Sequence, residues 1–214
     1  MVDRSSRVQT LPTDIAVGLL AGLVATRVTD LAQGPLRRMT PASVARRERR
    51  VSPGGASSSQ VAAKRVAEHL GHAPGQQRVA SLGRAVHLGV GMAWGPVYGL
   101  LRRHGGLGPI GAGLATGVAM SLVLDEGVVP ALGLSAANQD YPILTHVRGL
   151  LAHLVYGAAA ALAAEGLGRL VGRLPAAPRR HGSLSWSRSA QHLSEQGRSA
   201  GPFSSNYLAP RASS

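Results

Sequence analysis

Residues 105–124 read GGLGPIGAGLATGVAMSLVL, twenty positions without a charge that stop at Asp125 and Glu126. Only Thr116 and Ser121 among them carry polar side chains. A soluble helix must turn a polar stripe to water, and this stretch has none. In helical form twenty residues measure roughly 30 Å, the thickness of a bilayer's hydrocarbon core. The stretch therefore reads as a membrane-spanning helix.

Three more stretches share its character. Residues 149–164 are uncharged for 16 positions between Arg148 and Glu165, and residues 85–101 for 17 between Arg84 and Arg102. Both reach spanning length if their flanking charges sit at the interface, arginine by snorkelling. Residues 15–26 are uncharged for only 12 and end at Arg27. They span only if Arg27 lies within the helix, which makes this the weakest of the four. The expected fold is all-α, an integral membrane bundle of about four helices over residues 15–174. A short segment, 1–14, precedes it and a disordered tail, 175–214, follows.

Composition agrees. Of 214 residues 44% are apolar, yet only seven are aromatic, few for a core that must bury area in water. Glycine is abundant at 28. Cysteine is absent, which excludes disulfide frameworks, thiolate metal sites and cysteine nucleophiles. Charge is +13, from 23 Lys+Arg against 10 Asp+Glu, and Lys64 is the single lysine. It is unevenly spread: residues 85–174 hold 9 charged residues in 90, and the other 124 positions hold 24. Arg4 and Arg7 before the first apolar stretch also allow a cleaved signal peptide, but no good small-x-small site follows it, Leu23 and Ala25 being the candidate pair.

Glycines recur at four-residue spacing: Gly18 and Gly22; Gly91, Gly95 and Gly99; Gly113 and Gly117; Gly168 and Gly172. In lipid such spacing lets helix backbones approach closely. The run of three is the most specific and is expected to pack within the chain before it packs between copies in a homo-oligomer. Pro96 inside the same stretch is expected to kink it.

Residues 37–59 are rich in Arg, Ser, Pro and Gly and read as a disordered linker. Residues 60–70 read as a short amphipathic helix with Ala63, Val66, Ala67 and Leu70 on one face. Ser57 and Gln60 have capping-box spacing, Lys64 and Glu68 are an i, i+4 pair, and Gly71 can end the helix. The tail holds ten Ser, five Arg and four Pro without apolar periodicity.

Arg46, Arg47, Arg49 and Arg50, with Arg179 and Arg180, could face phosphates of nucleic acid or of anionic lipid headgroups. Beside an apolar block lipid is the expected partner, and no aromatic interleaving points to base stacking. The alternative is a basic peripheral or nucleic-acid-associated protein with a soluble helical core.

Motifs of catalysis are missing. The glycines at 111, 113 and 117 mimic a nucleotide loop but lie inside an apolar helix with no strand before them. No zinc-protease, nucleophile-elbow or EF-hand pattern occurs. His146 and His153 share a helix face but stand about 10 Å apart along the axis, too far for one metal ion. No cofactor, metal or enzymatic activity is expected.

With four spans, the end of the first helix, the start of the second, the end of the third and the start of the fourth face one side. Those ends carry Asp30, His87, Asp125 with Glu126, and His146 with His153. Ionisable groups near hydrocarbon usually face the bundle. The expectation is a polar cluster, His87 and His153 approaching Asp30 and the acidic pair, with a transport, proton-linked or structural role. Arginines in the short second loop and after the last helix put both termini in the cytoplasm.

Three segments also resemble a known family. GLLAGLVATRVTD, AVHLGVGMAWGPVYGLLRR and GLATGVAMSLVLDEGVVPALGLSAANQDYPILTHVRGLLAHLVYG are similar to the YagU-like bacterial inner-membrane proteins, which have no established biochemical activity. The matching positions are Asp30, His87, Asp125, Glu126, Pro130, Gly133, Leu134, His146 and His153, within residues 15–170. Arg27 departs from the pattern, where an apolar or aromatic residue stands. The resemblance implies an inner-membrane location and no reaction.

Overall fold

The computed structural model describes residues 4–171. The tail expected at 175–214 and the Gly172 partner of Gly168 lie outside them. In chain order the elements are α1 (Arg4–Arg38), α2 (Ala42–Val51), a 3₁₀ turn (Pro53–Gly55), α3 (Ser58–His69), α4 (Gln76–His104) and α5 (Pro109–Met120). A π-helix (Ser121–Val128) continues α5 and runs into α6 (Val129–Ala131); a 3₁₀ turn (Asn138–Asp140) then leads to α7 (Ile143–Val171). No strand occurs among the described residues.

Small residues set how closely these helices approach. α1 runs antiparallel to α4: a Cβ added at Gly18 would lie 2.8 Å from Pro96 Cα, and one at Gly22 2.7 Å from the Gly91 carbonyl. Gly91 in turn faces the Thr26 side chain, and Gly95 faces the Gly18 backbone. α5 and α7 repeat the arrangement, with Gly113 against Gly157 and Gly117 against the backbone of His153 and Leu154. Gly99 is different, because nothing lies within 4 Å of a Cβ placed there. The run of three therefore supplies two contacts. The third glycine has rotated off the seam, and α4 stays helical through Pro96.

Between the seams α7 packs on α1, with Ala21 near Ala161 and Ala164, and Ala25 near Tyr156 and Ala160. Ten of the thirteen buried apolar residues among those described are alanine, so the interior is built from small side chains. Three buried threonine hydroxyls are satisfied within their own helices: Thr26 donates to the Gly22 carbonyl, Thr29 to Ala25 and Thr116 to Ala112, at 2.7–2.8 Å. Large aliphatic residues point outward instead, Leu20, Val24, Leu114, Val118, Leu151 and Leu162 among them.

Among the described residues three helices are long and apolar enough to cross a membrane: Pro12–Arg38, Pro109–Ala131 and Ile143–Leu170. The first includes Arg27, which is exposed within α1. α4 has the length, 29 residues, but not the hydropathy. Its uncharged run ends at 17 residues, four of them glycine, and any longer window takes in Arg84 or Arg102.

Two expected boundaries change. Residues 4–14, expected as a separate segment, belong to α1. The expected linker is helical over Ala42–Val51: Val44, Ala45, Glu48 and Val51 form a half-buried face while Arg46, Arg47, Arg49 and Arg50 stay exposed. The amphipathic helix lies close to its expected limits. The Ser57 N–H donates to Gln60 Oε1 at 3.1 Å, and Lys64 lies 3.7 Å from Glu68. Gly71 at φ 77° closes the helix, with the His72 N–H reaching back to the Ala67 carbonyl and the Gly71 N–H to Glu68, a Schellman turn. Only Ala63 and Ala67 of its apolar face are buried; Val66 and Leu70 are exposed because α3 meets α4 through its small residues.

Candidate functional site

The π-helix brings Asp125 and Glu126 to α7. Wider turns of this kind recur where a helix must re-aim functional side chains. Two glycines make room for the first pairing. Gly117 admits the His153 backbone, and a Cβ at Gly149 would lie 3.2 Å from Asp125 Oδ2. Asp125 Oδ2 consequently sits 2.9 Å from His153 Nε2.

Glu126 meets His146 instead, Oε1 to Nδ1 at 2.6 Å. The other ring nitrogen of His146 lies 3.1 Å from the Asn138 carbonyl, and Asn138 Nδ2 donates to the Glu126 carbonyl at 2.9 Å. Imidazole here stands between two acceptors, a carbonyl and a carboxylate. Both contacts are satisfied when ring and carboxyl together hold two protons, as imidazolium with carboxylate or as neutral imidazole with carboxylic acid.

Asp30 and His87 form the third pair, Oδ1 to Nε2 at 2.9 Å, across the α1–α4 seam. His87 takes no part in the hydrogen bonds of Asp125 or Glu126. The six expected residues thus stand as three carboxylate–imidazole pairs. Two lie on the α5–α7 side, where α7 faces the π-helix, and one on the α1–α4 side. No three His, Cys, Asp or Glu among the described residues converge closely enough to hold a metal ion.

Sequence reading missed the residues that tie the cap helices down. Glu48 Oε1 accepts from Thr145 Oγ1 at 2.6 Å and from Arg148 Nη2 at 2.9 Å, joining α2 to α7. Arg148 Nη1 also donates to Thr40 Oγ1 at 3.0 Å. From α3, Arg65 donates to the Leu132 and Gly133 carbonyls at 2.6 and 2.7 Å. The only available signal was one acid inside RRERR at 46–50, a break in a run of like charge.

The opposite end of the bundle is also polar. Glu165 Oε1 accepts from Tyr98 Oη at 2.9 Å and Arg102 Nε at 3.0 Å, and Arg103 pairs with Asp14 at 2.5 Å. Tyr156 Oη donates to the Gly91 carbonyl at 2.5 Å midway between the two ends.

Comparison of the chain with protein-family models, with curated proteins and with solved structures finds no match.

Proposed function

We propose that this chain is a non-enzymatic integral membrane protein in which α1, α4, α5 with its π continuation, and α7 cross the bilayer, and in which the carboxylate–imidazole pairs give one face a proton-linked role. The observation that carries the membrane reading is the radial order of side chains. Alanine, glycine and threonine fill the interior, and Leu20, Leu151 and Leu162 face outward. Water would penalise that order, and lipid accepts it, because helices in lipid associate through close packing and not through hydrophobic exclusion. α4 joins the set because Gly91 and Gly95 lock it to α1 over the same depth.

Proton linkage is supported by where the ionisable groups stand. All three pairs are at one end of the bundle, and the His146 ring lies between Glu126 Oε1 and the Asn138 carbonyl. Arg46, Arg47, Arg49 and Arg50 on the outer face of α2 suit anionic headgroups at that surface. The resemblance to YagU-like proteins suggests the bacterial inner membrane, and the arginines of the short second loop and after the last helix favour cytoplasmic termini.

Two measurements test this reading. Alkaline carbonate should leave the protein in the membrane pellet, and release into the supernatant would refute a spanning bundle. In liposomes, Glu126→Gln and His153→Ala should each alter proton flux relative to wild type. Equal flux in all three removes proton transport from the proposal.

A further inference from the structure

A cleft of about 420 Å³ opens between α1, α3 and α4, beside the Asp30–His87 pair. Its size falls within the roughly 300–1,000 Å³ of small-molecule sites. It exists because Gly83 brings α4 against α3: a Cβ there would lie 2.7 Å from Gln60 Cγ.

Two guanidinium groups from different helices line it, Arg37 of α1 and Arg84 of α4. Neither pairs with a carboxylate among the described residues. Arg37 Nη2 donates to Gln33 Oε1 and Arg84 Nη2 to Ser81 Oγ, each at 3.1 Å, so both are steadied by neutral acceptors. A guanidinium has five N–H donors, and most of these stay available. Ser57 and Ser59 supply the third wall, their hydroxyls 3.2 Å apart. The one carboxylate in the lining, Asp30, has Oδ1 engaged by His87.

We propose that this cleft binds a phosphate group, held by the Arg37 and Arg84 forks with the free O–H of the hydrogen-bonded Ser57–Ser59 pair donating to one of its oxygens. Planar forks from two sides match the tetrahedral oxygens of phosphate better than a single cation does. The phosphate of an anionic phospholipid headgroup and that of a soluble phosphate compound offer the same chemistry. The lipid source rests on the membrane reading above; the phosphate site does not.

The test uses the full chain, delipidated in neutral detergent. Wild type, Arg37→Gln/Arg84→Gln and a control, Arg38→Gln/Arg78→Gln, which removes the same charge outside the cleft, are compared. Retention of phosphatidylglycerol against phosphatidylcholine is read by native mass spectrometry. Protection by inorganic phosphate against chloride at matched ionic strength is read by thermal melting. Phosphatidylglycerol retention should fall about tenfold in the cleft variant and stay unchanged in the control, without protection by inorganic phosphate; that assigns a lipid source. Protection by inorganic phosphate that the cleft variant loses assigns a soluble source, and supports the site even if carbonate releases the protein from membranes. Equal binding in wild type and cleft variant, or equal loss in the control, overturns the proposal. If the glutamine pair fails to fold, Arg37→Lys/Arg84→Lys is read instead. It keeps the charge and loses the forks, so weakened binding supports the site and unchanged binding overturns it.

Discussion

Glu48 and Arg148, a hundred residues apart, meet at 2.9 Å, and through them a helix of the Arg-rich segment is bound to the first turns of α7. Their side chains are 16% and 21% exposed. Solvent screening is therefore partial, and the same Glu48 oxygen also takes the Thr145 hydroxyl. Glu48→Ala leaves Arg148 half-desolvated without its anion. The expected cost is about 2 kcal/mol, between the surface and buried limits for broken pairs. α2 should loosen first. Limited trypsin digestion should then cut at Arg46, Arg47, Arg49 and Arg50 several-fold faster than in wild type. Unchanged cleavage would mean that α2 is held by its apolar face alone.

Glycines of one stripe should differ sharply in tolerance. Gly95→Leu drives a side chain into the Gly18 backbone, and helices cannot part there without losing the α1–α4 seam. Overpacking of this kind costs about 3 kcal/mol. Gly99→Leu, four residues on, meets nothing within 4 Å and should leave the melting temperature in detergent unchanged. Equal effects of the two substitutions would contradict the packing described for α4.

The helices were legible because their signals are local. The uncharged run before Asp125, the capping spacing of Ser57 and Gln60, and Gly71 each act within a few residues. α2 was hidden for the opposite reason. Its inner face offers only Val44, Ala45 and Val51 as apolar side chains, and its inward polar residue, Glu48, is satisfied by groups a hundred residues away. Composition over 37–59 averaged that face out. The polar residues of the candidate site were legible as a set, since helix alternation fixes which ends share a side. Their pairing was not, because it depends on the π-helix that turns Asp125 and Glu126 and on Gly149, whose missing side chain admits a carboxylate.

His87 and His153 share no partner, which gives a quantitative expectation. His87→Ala should cost less than His153→Ala, because the His87 side chain is 44% exposed and that of His153 17%. Each hydrogen bond is worth about 0.5–1.5 kcal/mol. The double variant should equal the sum of the singles within about 0.5 kcal/mol, as for independent sites. Chemical denaturation in mixed micelles measures all three. A coupling above about 1 kcal/mol would show that the two seams open together as one network.

Arg65 makes the sharpest distinction between charge and shape. The turn after α6 ends with Gly133 at φ 63°, and its N–H reaches the Pro130 carbonyl while the Leu134 N–H reaches Val129. That motif leaves the Leu132 and Gly133 carbonyls pointing out of the chain without helical donors. Arg65 closes both, at 2.6 and 2.7 Å, from a helix 67 residues earlier in the chain. Two parallel donors fit two successive carbonyls only with a planar fork. Lysine keeps the charge but presents a compact ammonium, so it should hold one carbonyl and release the other. Arg65→Ala should cost about 1 kcal/mol, reduced from the usual value for charged donors because the contact is exposed. Arg65→Lys should recover less than half of that. The measurement is hydrogen exchange at Gly133 and Leu134, whose amides lie in the turn that Arg65 steadies. Both should exchange faster in Arg65→Ala while the α5–α7 seam around Gly113 and Gly157 keeps its protection. Full rescue by lysine would mean that the site reads charge alone, and that the fork geometry contributes nothing to fastening α3 across the end of the bundle.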